Sequence, residues 1–285
     1  MSAGDVGWSL AVGRGGHVLH TECTGPHTPA TRFDLASTSK QFTALAAILT
    51  LELDNDDWRL IHQRSGLPDY IDLLLERGVS LRERTDTDDA VAAFRGRPMD
   101  FRPDSRWAYS NTNYLLLGIR IARTLGRPLP DVLADTVFAP LGLDMTMDPL
   151  GRVPDRAFSY DEAGRPADAR WEQVGDGAVW STPSELVRWA DAWSSAPFGE
   201  DVLAQQLRTV PTGAPGEAYG AGIYVLDRGG RRLLSHPGDW GGFRSQFVVD
   251  PEARIAVALC ANQPGLVPDD RALTVLQEWR ERLGA

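Results

Sequence analysis

The stretch FDLASTSKQFTALAAIL, residues 33–49, places a serine and a lysine three positions apart at the start of an apolar helical pattern. We predict one helix from Ser37 to Leu53, because apolar residues recur there at helical spacing and neither Gly nor Pro interrupts them. The i, i+3 spacing brings Ser37 and Lys40 side by side on the first turn. This turn also presents free N–H groups and the positive end of the helix dipole, which favour a developing oxyanion.

The lysine of this stretch is unusual for the chain. Lys and Arg together number 29, and Lys40 is the only lysine among them. A guanidinium does not lose its proton in proteins, whereas a lysine amine becomes neutral when burial or nearby cations lower its pKa. A neutral amine can take the proton of a serine hydroxyl, which is otherwise a weak nucleophile. Ser37 and Lys40 are therefore the candidate nucleophile and base.

The composition is that of a folded globular protein and argues against several partners. The 285 residues are 42% hydrophobic and 24% charged, which is ample for a buried core. A net charge of −10 without a basic stripe makes nucleic acid and anionic membranes poor partners. A small molecule or peptide is the expected substrate because Ser37 and Lys40 are a candidate nucleophile and base. The oligomeric state is not predictable from these features.

Two further observations bear on location. No apolar run reaches the roughly 18 residues of a transmembrane helix. The stretch from Met1 to Leu10 has neither the basic nor the apolar region of a signal peptide. We therefore expect a cytoplasmic location, and a leader removed from this sequence stays an open alternative.

No metal or other cofactor is expected. No Gly-rich phosphate-binding or dinucleotide-binding motif occurs. Two cysteines, Cys23 and Cys260, are too few for a disulfide framework, and we interpret both as reduced packing residues. The histidines are scattered without metal-ligand spacing: His17, His20, His27, His62 and His236.

Strand patterns lie towards both ends of the sequence. Apolar and polar residues alternate over residues 6–20 on both sides of a turn at Gly15-Gly16, which predicts a hairpin. Two more hairpins are predicted over residues 222–235 and 243–261. Helices are predicted at Asn111–Leu125, at Pro183–Ser194 with Thr182 as N-cap, and at Arg271–Leu283.

This order of elements indicates an α+β fold. We expect one antiparallel sheet formed by both termini and flanked by helices, with an inserted and mainly helical lobe. A single domain over residues 1–285 is predicted. Its α/β lobe would comprise residues 1–53 and 182–285, and its helical lobe residues 54–181.

Two more motifs accompany Ser37 and Lys40. Tyr109-Ser110-Asn111 immediately precedes a predicted helix, and His236-Pro237-Gly238 lies on or beside a C-terminal strand. An S-x-x-K, a Y-x-N and a [K/H]-x-G motif, in this order, are typical of the serine β-lactamase-related and penicillin-binding-protein family. The chain resembles the class C-like branch of that family, which also holds D,D-peptidases, esterases and transacylases.

The resemblance covers nearly the whole chain. Two departures concern the stretch from Leu53 to His62, which is shorter than in relatives, and Pro103-Asp104, where relatives often have Pro-Gly. Further stretches that look like the family are Ser65 to Tyr70 (SGLPDY), Trp107 to Gly118 (WAYSNTNYLLLG), Phe138 to Leu143 (FAPLGL), Gly177 to Trp189 (GAVWSTPSELVRW) and Asp239 to Ser245 (DWGGFRS).

The resemblance implies catalytic roles for three residues. Ser37 is acylated, Lys40 is the base or proton shuttle, and Tyr109 shares proton transfer and protonates the leaving group. A phenol would do so with a pKa lowered by nearby cations. Asn111 would hydrogen-bond the substrate or hold Lys40.

The third motif is expected to bind substrate. His236 would orient the substrate or Tyr109, and Gly238 would let the strand approach the ligand. The N–H groups of Ser37 and Asp239 would form the oxyanion hole. Trp240, together with Phe243, would wall the pocket, with the core as the alternative place for Trp240. His62 is interpreted as a packing or supporting residue.

Three functions stay open at this stage. The first is a serine hydrolase that acts on an ester or amide through acyl-Ser37, with a β-lactam, a D-amino-acid amide or peptide, or a small ester as substrate. The second is a transacylase of secondary metabolism, in which a nucleophile other than water attacks the acyl-enzyme. The third is a non-catalytic binding or sensor domain, against which the intact Ser37, Lys40 and Tyr109 argue.

Overall fold

The computed structural model describes residues 5–167 and 169–285. Residues 1–4, part of the N-terminal stretch without signal-peptide features, lie outside the described residues. Within the described ranges, no helix combines the length and apolar character needed to cross a membrane.

The strands, in chain order and over the described residues, are β1 (Trp8–Arg14), β2 (His17–Cys23), β3 (Phe33–Asp34), β4 (Thr146–Met147), β5 (Val179–Ser181), β6 (Val210–Pro211), β7 (Glu217–Tyr219), β8 (Tyr224–Arg228), β9 (Arg231–Trp240), β10 (Phe243–Asp250) and β11 (Ile255–Ala261). The α-helices over the same residues are α1 (Lys40–Thr50), α2 (Asn55–Ile61), α3 (Tyr70–Glu76), α4 (Thr87–Phe94), α5 (Asn111–Leu125), α6 (Leu129–Leu133), α7 (Pro183–Ala190), α8 (Ala192–Ser195), α9 (Glu200–Gln206) and α10 (Arg271–Leu283).

An eight-stranded antiparallel sheet forms the centre of the fold, in the order β2-β1-β11-β10-β9-β8-β7-β6. β1 lies beside β11, with Trp8 opposite Ala261 and Arg14 opposite Ile255. Strands from the beginning and end of the sequence thus meet in one sheet. A smaller sheet has the order β3-β5-β4. The predicted α+β class with a sheet completed by both ends is confirmed, and the division into two lobes stays a prediction.

Helices cover both faces of the large sheet. On one face α10 packs against β10 and β11, and Leu276 joins Leu10 and Val257 in a buried cluster. On the other face α1 and α7 bury Phe42 and Trp189 in the main core. Because side chains alternate along a strand, β1 and β11 each contribute to both clusters.

Several predicted helices occur as expected. α5 and α10 have the predicted bounds. The helix predicted at Pro183–Ser194 is divided into α7 and α8 at Asp191. Thr182 caps α7 as predicted, because its hydroxyl accepts the N–H of Glu185 at 3.2 Å.

The helix predicted from Ser37 to Leu53 differs at both ends. A 3-10 turn over Ala36–Ser39 precedes α1, so Ser37 lies before the α-helix proper. The helix ends at Thr50 because Leu51 is extended and Asp54 caps the next helix, α2, in a reciprocal capping box with Asp57.

Two strands are longer than predicted. β2 continues to Cys23, where a loop was expected from residue 21. β9 continues to Trp240 and carries the whole His236-Pro237-Gly238 motif. Proline predicts the end of a strand because it lacks an N–H, yet Pro237 stays in register opposite Gln246. Both cysteines are free, as expected.

Candidate active site

Ser37 lies on the 3-10 turn that leads into α1, and it is half-buried. The preceding residue, Ala36, has a φ of 47°, a left-handed conformation that is uncommon for a residue with a Cβ. Its N–H donates to Asp34 Oδ1 at 2.8 Å. Asp34 therefore stabilises the sharp bend that presents the Ser37 hydroxyl.

The other side chains of this turn anchor it to the sheets. Thr38 donates to the carbonyl of His236 at 3.0 Å and contacts the Ser245 hydroxyl at 2.8 Å, which ties the turn to β9 and β10. The Ser39 hydroxyl accepts the N–H of Val179 on β5 at 3.1 Å. Ser37 is thus held by two different sheets.

Lys40 is fully buried and points at Ser37. Its Nζ lies 3.0 Å from Ser37 Oγ, 2.8 Å from Asn111 Oδ1 and 2.7 Å from the carbonyl oxygen of Asp176. Burial lowers the pKa of the Lys40 amine to about 8, against a rise caused by Asp176 and Asp69. The amine is therefore far easier to deprotonate than a surface lysine.

The three neighbours of Lys40 fit a neutral amine. The oxygens of Asn111 and Asp176 can only accept, so they take the two N–H groups of an uncharged amine. The lone pair is then free for the third neighbour, the hydroxyl of Ser37. The arrangement suits an amine that receives the serine proton.

Asp69 fixes the orientation of Asn111. Its Oδ2 accepts both the backbone N–H of Asn111 at 2.7 Å and the side-chain Nδ2 at 2.9 Å. Since an ionised carboxylate only accepts, the amide nitrogen must face Asp69 and the amide oxygen must face Lys40. Of the two roles implied for Asn111, this geometry favours holding Lys40.

Tyr109 differs from expectation in its ionisation. Lys40 Nζ lies 5.0 Å from the ring centre, but burial dominates and raises the pKa of the phenol well above 10. The nearby Ser37 lowers the phenol pKa by a smaller amount. No described group lies at full hydrogen-bond distance and geometry from the buried Tyr109 hydroxyl. The expected lowering of the pKa by cations is therefore wrong. Tyr109 is therefore a neutral phenol whose hydroxyl is influenced by Ser37 but has no described partner at full hydrogen-bond geometry.

His236 is buried, and both of its ring nitrogens have partners. Nδ1 lies 2.7 Å from the carbonyl of Pro237 and must carry the proton, because a carbonyl only accepts. Nε2 lies 3.2 Å from the Tyr219 hydroxyl. Burial and the charge of Lys40 lower the pKa of His236 to about 3, so the ring is neutral. It packs 6.2 Å from the Tyr109 ring, between centroids.

Gly238 faces the Ser37 turn, whereas Trp240 lines the cavity beside Ser37. A Cβ on Gly238 would lie 2.3 Å from both the Leu35 carbonyl oxygen and Ser245 Oγ. The glycine thus lets β9 approach the Ser37 turn. Its expected role in the approach of β9 to the ligand stays a prediction. Trp240 is half-buried, packs 5.3 Å from the Trp171 ring and lines the cavity beside Ser37. Trp240 therefore lines the pocket and also packs against a core residue, the two locations considered for it.

Asp239 and Phe243 complete the residues predicted for the site. Asp239 is exposed, lines the cavities beside Ser37 and forms a 3.2 Å ion pair with Arg244. Phe243 is buried, and its ring packs edge-on against Trp180 at 5.2 Å. His62 lies away from the site, where it packs on Trp58 and contacts the carbonyl of Arg208 at 2.8 Å.

Sequence reasoning missed three buried groups at the site. Asp176 gives its carbonyl to Lys40, and its carboxylate accepts from the Tyr70 hydroxyl at 2.8 Å. Asp34 supports the bend at Ala36. Asp34 and Tyr70 lie inside family-like stretches and Asp176 directly precedes one, but spacing alone gives no sign that these stretches converge.

Two cavities meet at Ser37. One, of about 60 Å³, is lined by Asp34, Tyr70, Trp240 and others. The second, of about 330 Å³, is lined by Tyr109 and His236. Both reach Ser37, Asn111 and Asp239, so a reacting group at Ser37 has room on two sides. Among the described residues, no group of three or more His, Cys, Asp or Glu is placed to hold a metal ion.

The fold is that of penicillin-binding-protein-like structures. The penicillin binding protein from Bacillus halodurans superposes with a TM-score of 0.82 at 20% identity, over 95% of each chain. The D-amino acid amidase from Ochrobactrum anthropi SV3 gives a TM-score of 0.77 at 25% identity, over 98% of this chain and 95% of the amidase.

The chain belongs to the β-lactamase family, whose sequence profile matches residues 2–57 and 59–278. The resemblance inferred from the three motifs is thereby confirmed. Among curated proteins, a D-aminopeptidase from Brucella canis is 28% identical over 302 residues. The match covers 92% of this chain and 57% of the relative, so the chain spans little more than half of that protein's length.

Proposed function

We propose that this chain is a serine hydrolase that cleaves amides and esters of D-amino acids through an acyl-Ser37 intermediate. The observation that carries the proposal is the buried Lys40 amine, 3.0 Å from the Ser37 hydroxyl and lowered in pKa to about 8. Membership of the β-lactamase family supports the chemistry. The substrate class is drawn from relatives named D-aminopeptidase.

Acylation begins with proton transfer from Ser37 to Lys40. The neutral amine takes the hydroxyl proton while Oγ attacks the carbonyl carbon of the substrate. The N–H groups of Ser37 and Asp239 stabilise the oxyanion that forms. When the tetrahedral intermediate collapses, the bond to the leaving group breaks and acyl-Ser37 remains.

Tyr109 carries the proton from Lys40 to the leaving group. Because its pKa is high, the phenol acts as a neutral relay that gives its own proton to the leaving nitrogen or oxygen as it receives one from Lys40. Water then attacks acyl-Ser37, and its proton returns along the same groups. The products are a free carboxylic acid and an unmodified Ser37.

The proposal is tested with matched D- and L-amino-acid p-nitroanilides and nitrophenyl esters. We expect faster turnover of the D-substrates, a free acid as product, and a Ser37-containing peptide that gains the mass of the acyl group on rapid quenching. Ser37→Ala should abolish turnover, whereas Ser105→Ala, at an exposed serine outside the site, should not.

Two results would overturn it. Turnover that persists at the wild-type rate in Ser37→Ala would remove the nucleophile, and preference for L-substrates would remove the substrate class. Transfer of the acyl group to an added amine or alcohol, in place of hydrolysis by water, would make the chain a transacylase.

A further inference from the structure

A large cavity adjoins the candidate active site. It measures about 600 Å³ and shares Asp34, Pro149 and Trp240 with the small cavity beside Ser37. A volume of this size is typical of sites that enclose small-molecule ligands. The mechanism above makes no use of this space.

The proposed mechanism assigns this cavity to the acyl side of the reaction. Tyr109, the proposed donor to the leaving group, lines the opposite opening, together with His236. In the proposed mechanism the leaving group would therefore occupy that opening, and the acyl group would extend past Asp34 and Trp240. The passage of about 60 Å³ admits a slender chain, which would then reach the larger space.

The large cavity has an aromatic wall, formed by Trp180, Phe243 and Phe158, and several cationic side chains. Trp180 and Phe243 pack edge to face, with 5.2 Å between their ring centres. Phe158 stays 62% exposed, and the Arg156 guanidinium lies 4.5 Å from its ring centre. Exposed aromatic surface inside a concave site is available to bury the apolar part of a ligand.

Four arginines line this cavity: Arg82, Arg84, Arg156 and Arg170. Arg84 is neutralised by Glu172 through contacts of 2.5 and 3.1 Å. Arg82 donates to the carbonyl of Pro166 at 2.6 Å, and Arg156 to the carbonyl of Gly151 at 3.0 Å. Among residues 5–167 and 169–285, neither Arg82 nor Arg156 has a carboxylate in ion-pair contact. Each guanidinium retains unused N–H donors.

The two carboxyl groups in the described part of the lining do not cancel this charge. Glu172 is committed to Arg84. Asp34 Oδ1 accepts the N–H of Ala36, and burial raises the pKa of Asp34 to about 7, so it is only partly ionised at neutral pH. The part of the described lining that contains Arg82 and Arg156 is therefore positively charged.

We propose that this cavity is a subsite for an acyl chain that ends in a carboxylate, held by Arg82 and Arg156 above the aromatic wall. The inference rests on the proposed acyl-Ser37 chemistry and adds a terminal carboxylate to the acyl part of the proposed substrate. Planar guanidinium groups bind carboxylates through paired N–H donors, and an uncharged amide of the same shape gains much less.

Turnover is tested with p-nitrophenyl half-esters of succinic, glutaric, adipic and suberic acids. Each is compared with the ester whose far carboxylate is replaced by a carboxamide. For the chain length that fits best, we expect kcat/KM to favour the carboxylate by about 10-fold to 100-fold. Arg82→Gln and Arg156→Gln should each reduce this ratio, and the double variant should bring it near one while turnover of the carboxamide ester is retained.

A binding measurement separates this subsite from the catalytic proposal. Ser37→Ala protein is titrated by calorimetry with the matching p-nitroanilides, which need no turnover. We expect tighter binding of the carboxylate form and loss of that preference with Arg156→Gln. Arg165→Gln, at an exposed arginine paired with Asp161, should leave the preference unchanged.

The outcomes are distinguishable. A carboxylate-to-carboxamide ratio near one in the parent protein, or a ratio that survives in the double variant, overturns the subsite. Absence of Ser37-dependent hydrolysis overturns the proposed function, and the binding preference then still decides whether the cavity recognises carboxylates.

Discussion

At the scale of single residues, the proposed chemistry depends on the protonation of one amine. Lys40 has two obligatory acceptors, Asn111 and Asp176, and one hydroxyl, Ser37, around its nitrogen. This set accepts three N–H groups from the protonated amine, and it also satisfies the neutral amine, whose lone pair then faces the Ser37 hydroxyl. The same burial that lowers the Lys40 pKa excludes water that would otherwise solvate the ammonium.

Replacing the amine by a permanent cation tests this requirement. We expect Lys40→Arg to lower kcat/KM for an activated ester by at least about 10³-fold, because a guanidinium cannot accept the Ser37 proton. The far-ultraviolet circular dichroism spectrum should be retained. The reverse exchange at an exposed ion pair, Arg165→Lys, is the matched control and should leave the rate unchanged. Near-normal turnover by Lys40→Arg would exclude Lys40 as the base.

The relay role of Tyr109 makes a second prediction. Tyr109→Phe removes only the buried hydroxyl, which has no described hydrogen-bond partner, so stability should change little. Acylation should slow by about 10²–10⁴-fold, the usual effect of losing an acid–base group. The loss should be larger for amides than for nitrophenyl esters, whose leaving group needs no proton. Equal rates for the variant and the parent on an amide would assign Tyr109 to packing.

At the scale of elements, the site depends on the close approach of β9 to the Ser37 turn. Gly238 lies where a Cβ would meet the Leu35 carbonyl and the Ser245 hydroxyl at 2.3 Å. Thr38 adds hydrogen bonds to His236 and Ser245 across the same interface. A small displacement of β9 would therefore separate the two N–H groups proposed for the oxyanion hole.

Gly238→Ala tests this approach. We expect a lower unfolding midpoint and at least about tenfold slower acylation, because β9 or the turn must move. Gly177→Ala is the matched control for stability, since its Cβ would meet nothing closer than 3.8 Å and its φ is not positive. Thermal denaturation of both variants gives the comparison. Equal stability of the two would contradict the close approach.

The elements also show what sequence patterns could predict. α5 and α10 end at glycines in the left-handed conformation, a local signal, and their bounds were predictable. The third motif was found by its residues, but the strand that carries it was predicted only as far as Ser235, because Pro237 normally indicates a strand end. Strand pairing between β9 and β10 outweighs the tendency of proline to end a strand.

One departure from the family has a local explanation. Pro103-Asp104 stands where relatives often have Pro-Gly, and Asp104 has a φ of 66°. Aspartate tolerates this left-handed region better than most residues. Its carboxylate also pairs with Arg59 at 2.7 Å.

At the scale of the whole molecule, the fold brings distant stretches to one point. Ser37, Asn111, Asp176 and His236 are far apart in sequence and are collected by the sheet order and the helices on its face. The motif residues were identifiable because each motif is local. Asp34, Tyr70 and Asp176 were not, since their roles arise only when three separate segments pack together.

Burial of ionisable groups predicts how stability depends on pH. The Asp34 pKa is raised from 3.8 to about 7, so in the unfolded chain this group ionises first as pH rises. Its contribution to stability is therefore lost between about pH 4 and 7. The pKa values of Asp69 and Asp176 are also raised, so these groups likewise lower stability as pH rises. The pKa of His62 is lowered to about 4, so this group raises stability as pH rises.

A difference measurement isolates Asp34 from these other groups. Asp34→Asn keeps an oxygen that can accept from Ala36 but does not ionise. The free energy of unfolding of the variant, relative to the parent, should rise between pH 4 and 7 by an amount on the order of a few kcal/mol. Urea denaturation at several pH values measures it. A difference that does not change with pH would show that Asp34 ionises normally in the folded protein.

The single lysine allows the protonation of the proposed base to be observed directly. Protein labelled with ¹³C at lysine Cε gives one lysine resonance, from Lys40, and its chemical shift is followed against pH in the folded protein. A titration midpoint near 8 is the predicted result. A midpoint at the ordinary lysine value of about 10.5 would contradict the central claim that the fold holds this amine ready to accept the proton of Ser37.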